Sequence, residues 1–267
     1  MNLQHAILAS VLLFSSVGGA DLSAQSPYRL DRSDAPLTGV GILLLAADRA
    51  LASGTDPLTV EEINRLSRDD VFALDRFATY NYSESASTAS DVLEWTAIVS
   101  PLVLFASPEI RKDFSTVGLM YLQTLLYAVG TFGVTKGLVT RPRPYVYNES
   151  ASLEEKLHRD AKRSFFSGHT AISFSSVVFL SMVYDGYVPD AKWKPYIWGV
   201  SLGVAAAVGY LRIAAGKHFL TDVLVGALVG GAIGYLVPKI HETSGNGTNL
   251  VSPAGAAPHQ VAFQFTF

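Results

Sequence analysis

From Val92 onward the chain is a series of long apolar runs with hardly a charge inside them, and the charges that occur gather where the runs end. Candidate helices cover roughly 92–107, 114–138, 166–184, 196–212 and 219–237. A helix needs about 20 mostly apolar residues to cross a bilayer, and the second and third runs approach that length. Only 16% of the 267 residues are charged, where an ordinary soluble domain carries about 25%. Much of the surface must therefore face lipid. The pattern predicts an all-α integral membrane helical bundle of five to six transmembrane helices with a small polar cap segment.

Composition closes several other routes. A net charge of −3 offers no basic face to neutralise nucleic-acid phosphates, so no nucleic-acid partner is expected. With no cysteine, disulfides, thiolate zinc sites and cysteine nucleophiles are excluded. No cluster of carboxylates stands in the sequence to hold an ion, so neither a metal nor a cofactor is expected.

Residues 1–24 read as a signal peptide or N-terminal anchor. An apolar run from Ala6 to Val17 precedes the small residues Gly18, Gly19 and Ala20, although the n-region offers only the terminal amine and His5. Residues 25–91 read as an interfacial helix followed by a polar extramembrane segment. Within them Leu37 to Leu51 is apolar but short and contains Asp48 and Arg49, which predicts partial insertion rather than a crossing. Thr59-Val60-Glu61-Glu62 and Ser67-Arg68-Asp69-Asp70 have the form of capping boxes, and no catalytic constellation is evident in this cap. Residues 92–240 form the membrane core. In its last run Gly226, Gly230 and Gly234 recur every four residues, the spacing that lets helices pack closely in lipid. Residues 241–267 read as a flexible tail whose alternating end, Val261 to Phe267, is strand-like.

Charge inside a membrane is costly and tends to be functional. Three clusters stand out: Lys136 with Arg141 and Arg143; Ser167-Gly168-His169; and Arg212 with His218 and Asp222. Counting crossings places all three on one face. Lys136, Arg143 and Arg212 supply positive charge, and the guanidiniums supply forked donors suited to phosphate oxygens. Ser167 and Gly168 open a helix whose free N–H groups and dipole favour an anion. His218 and Asp222, four apart, share a helical face. The carboxylate can hold one imidazole nitrogen as N–H and leave the other to attack phosphorus. His169, from another helix, can protonate the leaving oxygen. Together these make a phosphoryl-transfer set. Lys156, Arg159, Lys162 and Arg163 read as a solvated or headgroup-facing stretch, and His5, His158, His241 and His259 as solvated bystanders.

The clusters resemble the three-part signature of the type 2 phosphatidic-acid phosphatase superfamily. Lys136 is followed after six residues by Arg143-Pro144, while Arg141-Pro142 stands at the wrong spacing and reads as auxiliary. Phe166 replaces the family's proline before Ser167-Gly168-His169, and Leu211 replaces the usual serine before Arg212, His218 and Asp222. The resemblance implies a metal-independent phosphatase working through a phosphohistidine on His218. Long uncharged helices point to a phosphorylated membrane lipid in the bilayer as its partner. Candidates are undecaprenyl diphosphate, phosphatidylglycerol phosphate, phosphatidic acid and lipid A phosphates. A phosphotransferase, a vanadate haloperoxidase and a non-catalytic lipid-binding protein are the rival readings. Arg111, Lys112, Lys192 and Lys194 fall in the loops opposite the clusters. By the positive-inside tendency this predicts a multi-pass protein of a bacterial inner membrane with its site facing the periplasm.

Overall fold

The computed structural model describes residues 26–243. Six long helices carry the architecture: α1 (Asp34–Ser53), α2 (Glu84–Val99), α3 (Phe114–Leu138), α4 (Gly168–Tyr187), α5 (Lys194–Ala214) and α6 (Leu220–His241). Among the described residues there is no strand, only the isolated bridges Tyr28–Glu242 and Arg141–Arg163. The expected signal segment and the strand-like end fall outside the described residues.

Five of the six helices are long and apolar enough to cross a membrane, with α2 continued by a 3-10 turn to Ala106. The protein is a multi-pass membrane bundle. The sixth, α4, falls short on hydropathy for a physical reason. It is the central helix, with Ser173, Ser175, Ser176 and Ser181 fully buried. Ser175 and Ser181 donate to carbonyls of their own helix, and Tyr121 of α3 donates to Ser176 at 2.9 Å. A helix walled in by protein meets no lipid and need not be apolar throughout.

The segment read as partly inserted is instead the 20-residue α1, packed along α3. Gly130, Gly133 and Gly137 make that packing possible. A Cβ on them would lie 2.4 Å from Leu44, 2.2 Å from Asp48 and 2.4 Å from Leu51 respectively. The charge that argued against a crossing is paired: Asp48 is buried and accepts from Arg163 at 3.1 Å. The opposite end of α1 is clasped by His241, whose Nε2 meets Asp34 at 2.7 Å. His241 is therefore a buried tie between α1 and α6, not a solvated bystander. His158 also has local work: its Nδ1 accepts from the Asp160 N–H at the start of a 3-10 turn.

The predicted glycine stripe sets the contact between α4 and α6. A Cβ on Gly226, Gly230 or Gly234 would come 2.7, 2.1 and 2.4 Å from the carbonyl oxygens of Ser167, Ala171 and Ser175. Both rows repeat every four residues, so the two helices lie in register with their backbones nearly touching.

The cap lies over one end of this bundle. Thr59 and Glu62 form the predicted capping box, while Ser67 opens only a three-residue 3-10 turn. The expected division at residue 91 falls inside α2, which begins at Glu84. Leu58 packs with Tyr145, Val146 and Ala161, and Val71 and Ala78 pack with Ile213 and Phe219. The cap is thus seated directly on the loops that flank the charged clusters.

Because the α4–α6 register tolerates no side chain at Gly230, Gly230→Val should lower stability by more than the roughly 1–3 kcal/mol of ordinary overpacking. Gly231, whose Cβ would meet nothing within 4 Å, should accept alanine with little loss. Thermal unfolding of the two variants in detergent reads the difference.

Candidate active site

The three clusters predicted from sequence meet at the cap-facing end of the bundle. Arg143, ahead of a 3-10 turn over Pro144–Tyr147, donates from Nη1 to His218 Nε2 at 3.3 Å. The same guanidinium is held by the Asp160 and Lys217 carbonyls, at 2.9 and 3.0 Å, and by the Asp160 carboxylate at 2.7 Å. Lys136 ends α3 buried, with its ammonium 5.3 Å from the Phe132 ring centroid and no hydrogen bond or ion pair among the described residues. Ser167 caps α4, accepting from the Thr170 N–H, and Gly168 follows against the face of Phe132.

An arginine N–H facing His218 Nε2 fixes the tautomer, because arginine can only donate. Nε2 must then carry the lone pair, and the proton sits on Nδ1, on the side of Asp222. The Nδ1–Asp222 separation is 3.7 Å, longer than a hydrogen bond, and Nδ1 has no partner. The expected imidazole–carboxylate contact is present as a neighbour relation rather than a closed bond. Burial, followed by the charges of Arg143, Lys136 and Arg212, drives the His218 pKa well below the ordinary imidazole value. His218 is accordingly a neutral imidazole at pH 7, the form that can act as a nucleophile.

Asp222 serves a wider network than the sequence suggested. It accepts from Ser164 Oγ at 2.6 Å, from the Phe219 N–H at 2.9 Å and from Arg141 Nη1. Arg141, assigned an auxiliary part, is the centre of a clamp. Its other nitrogen meets Asp75 at 2.8 Å, and its guanidinium lies 4.1 Å from the Phe219 ring centroid. Asp75 is buried in the cap, where it also accepts from the Thr221 N–H and hydroxyl. The cap, which showed no constellation in sequence, therefore reaches the helix that carries His218 and Asp222.

Two more carboxylates went unseen in the sequence. His169 Nε2 lies 2.9 Å from Asp91 and 3.2 Å from Glu94, both on α2. A ring nitrogen between two carboxylates is an N–H donor, and no described group takes the other nitrogen. Asp91 also accepts from Arg212 Nη1 at 3.2 Å, beside Ser90 at 3.1 Å, while the buried Arg212 Nε has no acceptor. Three residues apart where the apolar run 92–107 begins, Asp91 and Glu94 were a signal of their own. Of the basic loop, Lys162 and Arg163 are tied to Glu62 and Asp48.

A model of the PAP2 superfamily matches residues 117–246. That stretch is a PAP2 superfamily domain. Among proteins of known name, the chain is 31% identical over 163 residues to the probable diacylglycerol pyrophosphate phosphatase 1 of Schizosaccharomyces pombe, covering 51% of this chain and 58% of that protein. It is 27% identical over 154 residues to the lipid A 4'-phosphatase of Porphyromonas gingivalis, covering 55% and 62%. The chain thus spans less than two thirds of either relative. Of solved structures, Aquifex aeolicus LpxE is similar at 26% identity with a TM-score of 0.45, covering 63% of this chain and 96% of that one.

Within the PAP2 domain, the Arg141 clamp gives a test of its own. Arg141→Lys keeps one charge but cannot bridge Asp75 and Asp222 with a planar fork. It should destabilise the protein by about 3 kcal/mol, close to Arg141→Ala, because either change strands buried carboxylates. Thermal unfolding of both variants would show a lysine that rescues most of the stability if charge alone were the role.

Proposed function

We propose that this PAP2 domain removes phosphate from a membrane lipid in two displacements, through a phosphohistidine on His218 and without a metal ion. One observation carries the reading. Arg212 Nε is a buried donor with no acceptor among the described residues, and the buried residue Lys136 makes no hydrogen bond or ion pair among them; leaving a buried donor unpaired is costly. A phosphoryl group supplies the acceptors. Its oxygens take donors from Lys136, Arg143 and Arg212, and from the Gly168 N–H at the opening of α4.

In the first displacement His218 Nε2 attacks phosphorus, the bond to the leaving oxygen breaks, and His169 gives that oxygen a proton. In the second, water attacks phosphorus and gives its proton to His169; the P–N bond breaks, and inorganic phosphate leaves. Asp222 stabilises the positive imidazole while it carries phosphate, and the fixed cations neutralise the charge of the group in transfer. The lipid-facing helices, with Leu43, Val200, Leu224 and Leu228 exposed, suit a substrate whose chains stay in the bilayer.

We place the site on the periplasmic side of a bacterial inner membrane. With α1 across the membrane, residues 26–33 lie opposite the site. Arg29 and Arg32 then join Arg111, Lys112, Lys192, Lys194 and Lys239 on the inner side; the site-side loops are more basic still, an excess that phosphate binding explains. This arrangement and an export signal cleaved before residue 25 exclude each other, since cleavage would leave residue 26 outside.

Phosphate release from phosphatidic acid, phosphatidylglycerol phosphate, lipid A and undecaprenyl diphosphate should occur for at least one lipid and survive EDTA. It should fall by at least about a thousandfold in His218→Ala. Turnover by folded His218→Ala at near the wild-type rate would remove the phosphohistidine. A chelation loss restored by metal would remove the metal-free mechanism. No release from any lipid would favour the phosphotransferase or non-catalytic reading.

A further inference from the structure

We infer that the substrate is a lipid phosphomonoester, whose leaving group is a neutral alcohol, rather than a diphosphate, whose leaving group is itself an anionic phosphate. This deepens the proposed function and rests on it. The argument comes from the side of the site where the leaving group departs.

In-line displacement puts the leaving oxygen opposite His218 Nε2, beside the acid His169. That side is lined with carboxylates. Asp91 and Glu94 hold His169 Nε2 from 2.9 and 3.2 Å. A diphosphate would bring its second phosphate into this environment and would need fresh cations to hold it. Arg141, Arg163, Lys162 and Lys217 each hold a carboxylate already. Arg141 is locked between Asp75 and Asp222, Arg163 on Asp48, Lys162 on Glu62 and Lys217 on Glu155. Arg212 and Arg143, which the transferred phosphoryl group needs, carry Asp91 and Asp160. The ammonium of Lys136 lies near Arg143, Asp160 and Arg212 and is taken by the same phosphoryl group. Like charges at the leaving-group side and the pairing of the nearest cations both work against a second phosphate.

The acid clamp points the same way. An alkoxide is a poor leaving group and needs a proton delivered as the P–O bond breaks, whereas a phosphate departs as a stable anion. Asp91 and Glu94 both take the Nε2 side of the ring and so turn its other nitrogen toward the departing oxygen. Asp91 and Glu94 are thus positioning residues. They hold the proton donor, and they make its surroundings anionic.

The test uses matched pairs in the same mixed micelles: phosphatidic acid against diacylglycerol pyrophosphate, and undecaprenyl phosphate against its diphosphate. Initial phosphate release is compared for wild type, Asp91→Asn, Glu94→Gln and, as a blank, His218→Ala. Wild-type kcat/KM should favour the monoester by at least about tenfold in the pair that is turned over. Either carboxamide variant should cut monoester kcat by about 10–100-fold and change diphosphate turnover by no more than about threefold. A wild type that prefers the diphosphate overturns the inference, as does an equal loss on both members of a pair. Activity that survives in His218→Ala, or release from neither member by folded wild type, instead strikes the proposed function, and this inference falls with it.

Discussion

The near-contact of α4 and α6 is the constraint on which the rest of the site depends. Gly226, Gly230 and Gly234 lie against the carbonyls of Ser167, Ala171 and Ser175, one helical turn at a time. Helices in lipid gain no hydrophobic drive to associate, so close backbone packing has to supply the adhesion. The same register fixes the chemistry at the helix starts. The Ser167 N–H donates to the Asp222 carbonyl at 3.1 Å, and the opening of α4 is thereby set beside His218. A slip of one turn would separate the anion-binding helix start from the imidazole by about 5.4 Å, and the set would no longer surround one phosphorus.

Charge is then sorted into two kinds around that register. One kind is structural and held in ion pairs. Arg141 spans Asp75 and Asp222, Arg163 reaches Asp48, and His241 holds Asp34 at the far end. Buried pairs of this sort add little net stability, yet removing one partner is strongly destabilising, so they fix geometry more than they add energy. The other kind is left with open valences: Lys136 without a hydrogen bond or ion pair among the described residues, Arg212 with a free Nε, and His218 with Nδ1 unpartnered and Nε2 facing a guanidinium. The paired set holds the backbone still while the open set waits for an anion of the right shape, which is the preorganisation that phosphoryl transfer needs.

Much of this was legible in sequence because its signals are local. Charges at the ends of apolar runs named Lys136, Arg143, His169, Arg212, His218 and Asp222, and spacing alone placed His218 and Asp222 on one face. The glycine stripe of α6 was legible for the same reason. What escaped was set by distant partners. Asp48 looked like a charge that forbids a crossing until Arg163, more than a hundred residues on, was seen to pair with it. Nothing near Asp75 or Arg141 in the chain announces that they meet. His241 lacked a partner at helical spacing because its carboxylate is on α1. Two signals were present but unread: Gly130, Gly133 and Gly137, which make the groove for α1, and the Asp91–Glu94 pair where the apolar run of α2 begins.

The central claim is a covalent phosphate on His218, and trapping it tests the claim most directly. A lipid turned over by the protein, carrying radioactive phosphorus, is mixed with enzyme and quenched in alkali, which preserves phosphohistidine. The protein is then digested and the labelled peptide identified. The account predicts label on the peptide containing His218, chased away by unlabelled substrate and absent from His218→Ala. Label on any other residue, or full turnover with no label at any quench time and inverted configuration at phosphorus, would contradict it.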